Sequence, residues 1–189
     1  LAQLSMAATF DVGPFPVVHE VEADVERGTK LNDSRESAMA VPPNVSVHGF
    51  MDGHDTGDID VYRVPVKPGA RFTAQVDCVR ISDFTHGHGE DSGYDLKLRV
   101  VDAAGRQLAA NDYNALHLQD PLVSLRLPDN LPPAEGVAEP CVFVEVQRST
   151  FTTYRAPYVV HVGDFRRPLA AYPPGGPSGQ PVPLRFLGD

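Results

Sequence analysis

Apolar and polar residues alternate with period two through the middle of the chain, the pattern of a strand with one face buried. Phe72, Ala74, Val76 and Cys78 fall on one side of such a strand and Thr73, Gln75 and Asp77 on the other. Tyr94, Leu96, Leu98 and Val100 alternate with Asp95, Lys97 and Arg99, and Val123, Leu125 and Leu127 with Ser124 and Arg126. Val142, Val144 and Val146 alternate with Phe143, Glu145 and Gln147, and Tyr158, Val160 and Val162 close the series. Shorter strands are expected at 45–50 and 61–66, the second at an edge or a bulge because Pro65 lacks an N–H for the ladder. Between the runs stand turn residues: Lys67-Pro68-Gly69, Asp102 to Gly105, Pro128-Asp129-Asn130 and the longer Pro132 to Pro140. The pattern predicts an all-β protein, an antiparallel β-sandwich, with Phe72, Val76, Leu96, Leu98, Leu125, Val144 and Val160 in its core. The one helix-like stretch, 34–40, is expected to be a single turn capped by Asn32 or Asp33, too short to carry an amphipathic face.

Composition agrees with this. The 16 Gly and 18 Pro in 189 residues favour many turns over long helices. A net charge of −9 offers a phosphate backbone nothing to bind, so nucleic acid is a poor partner. No apolar run approaches the ~18 residues of a membrane span, so membrane insertion is not expected. The first ten residues lack the basic start of a signal peptide. Cys78 and Cys141 lie far apart without a C-x-x-C, which removes zinc-ribbon and thioredoxin readings and leaves a long-range disulfide and two buried thiols both open.

The ends differ from the middle. Residues 1–19 read as the end of a preceding unit or an added edge strand, 20–170 as the complete module, and 171–189 as a Pro/Gly linker feeding the first strand of a following domain.

Asn32-Asp33-Ser34 is followed by Gly57-Asp58-Ile59-Asp60-Val61-Tyr62, then by the turn Lys67-Pro68-Gly69 before a strand. Asp95 to Leu98, Asp102, Gly105, Asn111-Asp112 and the closing Tyr158-Val159-Val160-His161-Val162 come after in order. In these pieces, over about Asn32 to Val162, the chain resembles the bacterial pre-peptidase C-terminal domain family, whose relatives include the collagen-binding domains of secreted clostridial collagenases. The resemblance implies a jelly-roll β-sandwich appended to secreted enzymes or surface proteins, with no catalytic machinery of its own. It also implies Ca2+ where the segment before the first strand meets the Asp-x-Asp loop. Asn32, Asp33, Asp58 and Asp60 match those positions. The chemistry suits the ion, which takes six to eight oxygens from Asp, Asn and backbone carbonyls. One departure opposes it. Where relatives place Glu shortly before the Asn-Asp pair, this chain has Gly28 and Lys30, leaving Glu22, Asp24 or Glu26 as substitutes. The bland alternative is a capped turn and a solvated loop.

Other constellations are weaker. Asp95, Asp102, Asn111 and Asp112 form a second acidic set for which the alternatives are a second ion and, the better supported of the two, turn chemistry, with Tyr113 where the family has a second Asp. His86-Gly87-His88, beside Glu90 and Asp91, is a chelating pair only if His48, His54 or His117 converge on it. No Gly-x-Ser-x-Gly, His-Glu-x-x-His or phosphate-binding Gly loop is present.

The expected function is a non-catalytic accessory or binding module of a larger secreted, periplasmic or cell-surface bacterial protein. Its partners would be the other domains of the parent chain and an extracellular polymer or protein surface. A carbohydrate-binding module is the first rival, opposed by the absence of Trp, and a purely structural spacer the second.

Overall fold

The computed structural model describes residues 13, 15–21, 23–24, 29–51, 57–81, 95–114, 116–117, 119–149, 156–167 and 170–187, with the backbone alone at 23–24 and 29–30. The expectations placed on Tyr94, on His54 and on His86 to Asp91 lie outside them. The strands in chain order are β1 (Val17–His19), β2 (Ala23–Asp24), β3 (Thr29–Lys30), β4 (Met39–Ala40), β5 (Val45–Met51), β6 (Ile59–Pro65), β7 (Arg71–Asp77), β8 (Leu96–Val101), β9 (Gln107–Asn111), β10 (Leu122–Arg126), β11 (Cys141–Arg148), β12 (Ala156–Gly163), β13 (Ala170–Tyr172) and β14 (Arg185–Leu187). None of the described helical residues forms a helix long and apolar enough to cross a membrane.

Two five-stranded sheets form a β-sandwich, one in the order β1-β5-β12-β7-β10 and the other β4-β6-β11-β8-β9. Their pairing is antiparallel except at one edge of each sheet, where the short β1 and β4 run parallel to β5 and β6. Val47, Val64, Val76, Val100, Val144 and Val160, one from each of six strands, are fully buried between the sheets, as period-two alternation requires. Of the expected core, Phe72, Val76, Leu96, Leu98, Val144 and Val160 are buried. Leu125 is half-buried, because β10 is an edge strand and Leu125 packs on the core from its margin. Pro65 ends β6 on the side facing β4, beyond the last β4 pair at Ala40 and Arg63, so its missing N–H costs no ladder bond.

The polar face of β7 does not meet water, whereas Lys97 and Arg99 on β8 are exposed. Thr73, Gln75 and Asp77 of β7 are at most 6% exposed. Residues 164–167 and Phe15 lie over them: Thr73 Oγ1 donates to the Phe165 carbonyl at 2.7 Å, Arg167 Nε to Gln75 Oε1 at 2.7 Å, and Phe15 packs on Phe165 with ring centroids 5.0 Å apart. On the other sheet Val61, Val101, Cys141 and Phe143 form a second apolar cluster, covered by Ala38 and Ala134 among others.

The expected helical turn at 34–40 is absent. Ser34 and Ser37 instead close a bend on each other through their hydroxyls and backbone N–H groups, and Asn32 N–H donates to the Ser37 carbonyl at 3.0 Å. Ser competes with the helix ladder in this way whenever it can reach a neighbouring backbone group. The bend leads into β4. A short 3₁₀ turn, Val79–Ile81, is capped by Asp120, whose carboxylate accepts the N–H groups of Cys78, Val79 and Arg80. Both cysteines are buried free thiols. Cys78 belongs to the core between the sheets and Cys141 to the cluster on the far face of one sheet, so a wall of strands separates them.

Residues 170–187 stand apart as a two-stranded ribbon, β13 paired antiparallel with β14.

Candidate functional site

Asn32, Asp58 and Asp60 are buried and Asp33 half-buried. Asn32 adopts φ 59°, a left-handed conformation that Asn tolerates better than most residues. This turns its carbonyl to accept Val61 N–H at 2.7 Å, tying the 32–41 segment to the free edge of β6. The Asn32 amide nitrogen donates to Asp60 Oδ1 at 3.0 Å, so two of the four sequence-derived residues meet.

The carboxylate completing that meeting is Glu20. Asn32 Nδ2 also donates to Glu20 Oε1 at 2.9 Å, and the Phe50 N–H donates to Glu20 Oε2 at 2.8 Å. Glu22 and Glu26 lie outside the described residues, as does the side chain of Asp24, while Glu20 sits at the end of β1 with its own N–H on the His48 carbonyl at 2.9 Å. Two tyrosines close the group. Tyr62 donates to Glu20 Oε1 at 2.5 Å and Tyr158 to Asp60 Oδ2 at 2.6 Å, with the two hydroxyl oxygens 2.5 Å apart. Tyr62 is on β6 and Tyr158 on β12, so the group bridges the two sheets. Burial, followed by the charges of Asp60 and Glu20, pushes the Tyr62 hydroxyl well above its ordinary range; burial and the same carboxylates do so for Tyr158. Both tyrosines therefore stay protonated and act as donors. Gly49 lies against them: a Cβ there would stand 2.6 Å from Tyr158 Cζ and Oη and 2.8 Å from Glu20 Oε2.

Both oxygens of Asp60 thus accept hydrogen bonds from neutral donors. Among the described residues, no three His, Cys, Asp or Glu side chains are grouped so as to hold a metal ion. One observation fits a hard cation: Asn32 Oδ1 is buried and takes no hydrogen bond among the described residues. An amide oxygen so placed is a donor that calcium accepts.

A second buried polar group escaped the sequence. Ser46, His161 and Asp77 come from the adjacent strands β5, β12 and β7 and are at most 6% exposed. Ser46 Oγ is 2.7 Å from His161 Nδ1, and His161 Nε2 is 3.3 Å from Asp77 Oδ2. Asp77 Oδ1 also accepts from Gln75 Nε2 at 2.7 Å and pairs with Arg80. Burial alone would raise the Asp77 carboxyl, but the hydrogen bonds from His161 and Gln75 and the Arg80 charge outweigh it and hold the group below its ordinary value. These residue types suit nucleophilic chemistry, but Phe15 packs on His161 with centroids 6.3 Å apart, and Ser46 is 1% exposed, so no substrate reaches the hydroxyl in this conformation.

The second acidic set divides. Asp102 closes its own turn, accepting the N–H groups of Ala104 at 3.0 Å and Arg106 at 2.9 Å and pairing with the Arg106 guanidinium at 3.0 Å. Asn111 accepts Leu122 N–H at 3.0 Å and donates to the Tyr113 carbonyl at 3.1 Å. Asp95 accepts the Tyr113 hydroxyl at 3.0 Å and lies near Asp112.

No family model matches the chain, and no curated protein matches it. Among solved structures it is similar to the pre-peptidase C-terminal domain of a collagenase from Bacillus anthracis, at 14% identity and a TM-score of 0.44, over 66% of this chain and 93% of that one. It is also similar to PliG of Aeromonas hydrophila, a periplasmic lysozyme inhibitor of g-type lysozyme, at 14% identity and a TM-score of 0.41, over 67% of this chain and 96% of that one.

Proposed function

We propose that the chain is a non-catalytic accessory module of a larger secreted or cell-surface bacterial protein, one that packs against neighbouring domains of its parent and attaches it to an extracellular polymer or protein. The observation that carries this reading is the ribbon at 170–187. Tyr172 is 65% exposed, Phe186 66%, Leu184 52% and Leu187 44%. By strand alternation Phe186 leaves one face of the ribbon while Tyr172 and Leu187 leave the other. Two strands cannot bury apolar side chains on both faces, so the ribbon is suited to lie between surfaces supplied by something else. The opposite placement of Tyr172 and Phe186 also denies them the planar aromatic row on which sugar rings stack.

Calcium belongs to the same reading. An ion there would be held through Asn32 Oδ1 and at most two of the carboxylates of Asp33, Asp58 and Asp60, since no three acidic side chains are grouped among the described residues, and would supply charge neutralisation and rigidity rather than chemistry.

Co-sedimentation of the purified chain with insoluble collagen, peptidoglycan and cellulose tests the function. Retention on one of them without release of soluble fragments is expected. Release of fragments by the chain alone would overturn the reading.

A further inference from the structure

We propose that Asp95 and Asp112 form a site for a divalent cation, calcium by the hardness of its oxygen donors, at the open end of the β8–β9 hairpin. Asp95 immediately precedes β8 and Asp112 immediately follows β9. The two strands are antiparallel, with Leu98 opposite Asn111, so both carboxylates stand at one end of the hairpin.

Their hydrogen bonding is incomplete. Asp95 is 5% exposed; its Oδ2 accepts the Tyr113 hydroxyl at 3.0 Å, but its Oδ1 is buried and takes no hydrogen bond among the described residues. Asp112 Oδ1 is in the same state. Buried carboxylate oxygens without donors are costly, and two in one place repel. Burial, and then the charge of Asp112, raise the Asp95 carboxyl above its ordinary value, so the two groups sense each other. The hairpin register sets Lys97 opposite Asp112, but Lys97 is exposed and makes no hydrogen bond to Asp112 Oδ1.

A cation removes both deficits at once. The position is already fixed around it: the Asp95 carbonyl accepts Ser149 N–H at 2.9 Å, which ties this end to the end of β11, and Tyr113 locks the second carboxylate oxygen. Two protein carboxylates completed by water place the site in the weak class of extracellular calcium modules, with Kd about 10⁻⁴ to 10⁻³ M.

Thermal unfolding of the chain stripped with EDTA, with and without 10 mM calcium chloride (~10-fold or more above that Kd), tests the site. The expected result is a rise in Tm of about 3 °C in the wild type. A rise should remain in Asp58→Asn, which addresses the other candidate position, be diminished in Asp112→Asn, and be lost when Asp112→Asn is added to Asp58→Asn. In EDTA, Asp112→Asn should melt at or above the wild type, since it relieves the repulsion. Asp112 is half-buried and tolerates the change better than Asp95, so the fold survives to be measured. A calcium-induced rise undiminished in Asp112→Asn would overturn the proposal by placing the ion elsewhere. No rise in either the wild type or Asp58→Asn would overturn it by leaving the two oxygens to a proton.

Discussion

Tyr158 on β12 donates its hydroxyl to Asp60 on β6 at 2.6 Å, a hydrogen bond from one sheet of the sandwich to the other. Sheets in a sandwich are otherwise held by apolar contact, which has no direction. A charge-assisted bond with both partners at most 1% exposed fixes one relative position of the layers. Tyr158→Phe removes that donor from Asp60 Oδ2. The expected loss is about 1–3 kcal/mol, read as a drop in Tm of several degrees. Tyr62→Phe should cost a similar amount, and the double variant less than the sum, because the two hydroxyls share one network.

Gly49 is required by close approach. Gly49→Ala drives a methyl group into Tyr158 and Glu20 and should destabilise by about 1–3 kcal/mol, whereas Ala at the uncrowded Gly136 meets no atom within 4 Å and carries only the strain of its φ of 71°. Chemical denaturation of the two variants side by side checks the difference.

Asp77 should contribute to the loss of stability in acid. Its carboxyl is held below the ordinary 3.8 in the folded protein, so its contribution is complete above that value and is lost as pH falls through the lower folded value. Asp77→Asn should therefore be less stable at pH 7, while its stability falls less steeply below about pH 4. Equal slopes in the two proteins would place the acid sensitivity elsewhere.

The cysteines should be silent in the native protein. Burial pushes the Cys78 thiol far up, and the thiolate is the reactive form. A thiol reagent should label neither Cys78 nor Cys141 in buffer and both in denaturant, and a reductant should leave Tm unchanged.

Calcium at the first position separates by mutation. Asp58→Asn should weaken a calcium-dependent rise in Tm there, and Lys30→Glu should strengthen or create one by exchanging an ammonium for a carboxylate. An unchanged response in both would discard the ion at Asn32, Asp33, Asp58 and Asp60.

Much of the sandwich was legible because alternation over five to eight residues specifies which face of a strand is buried, as in β7, β8, β11 and β12. What covers the other face is set by segments distant in sequence. Thr73, Gln75 and Asp77 read as a solvated face, yet residues 164–167 and Phe15 cover them, which is why the Ser46, His161 and Asp77 group went unseen. The Asn32 and Asp60 meeting was visible as a motif, but Glu20 was not. Glu22, Asp24 and Glu26 are nearer Asn32 in sequence, and only the parallel pairing of β1 with β5 brings Glu20 to it. The short β9 escaped because an edge strand with small residues, Ala109 and Ala110, leaves almost no hydrophobic period to read.

On the function proposed above, the buried polar groups hold the sandwich together and perform no chemistry. The most direct test compares wild type with Ser46→Ala for turnover of p-nitrophenyl esters, peptides and glycosides, with Tm measured on the same samples. No turnover above buffer is expected in either protein, and a lower Tm is expected for Ser46→Ala, because His161 Nδ1 loses its 2.7 Å contact with Ser46 inside the covered sheet face. Turnover in the wild type that Ser46→Ala abolishes, with Tm unchanged, would contradict it.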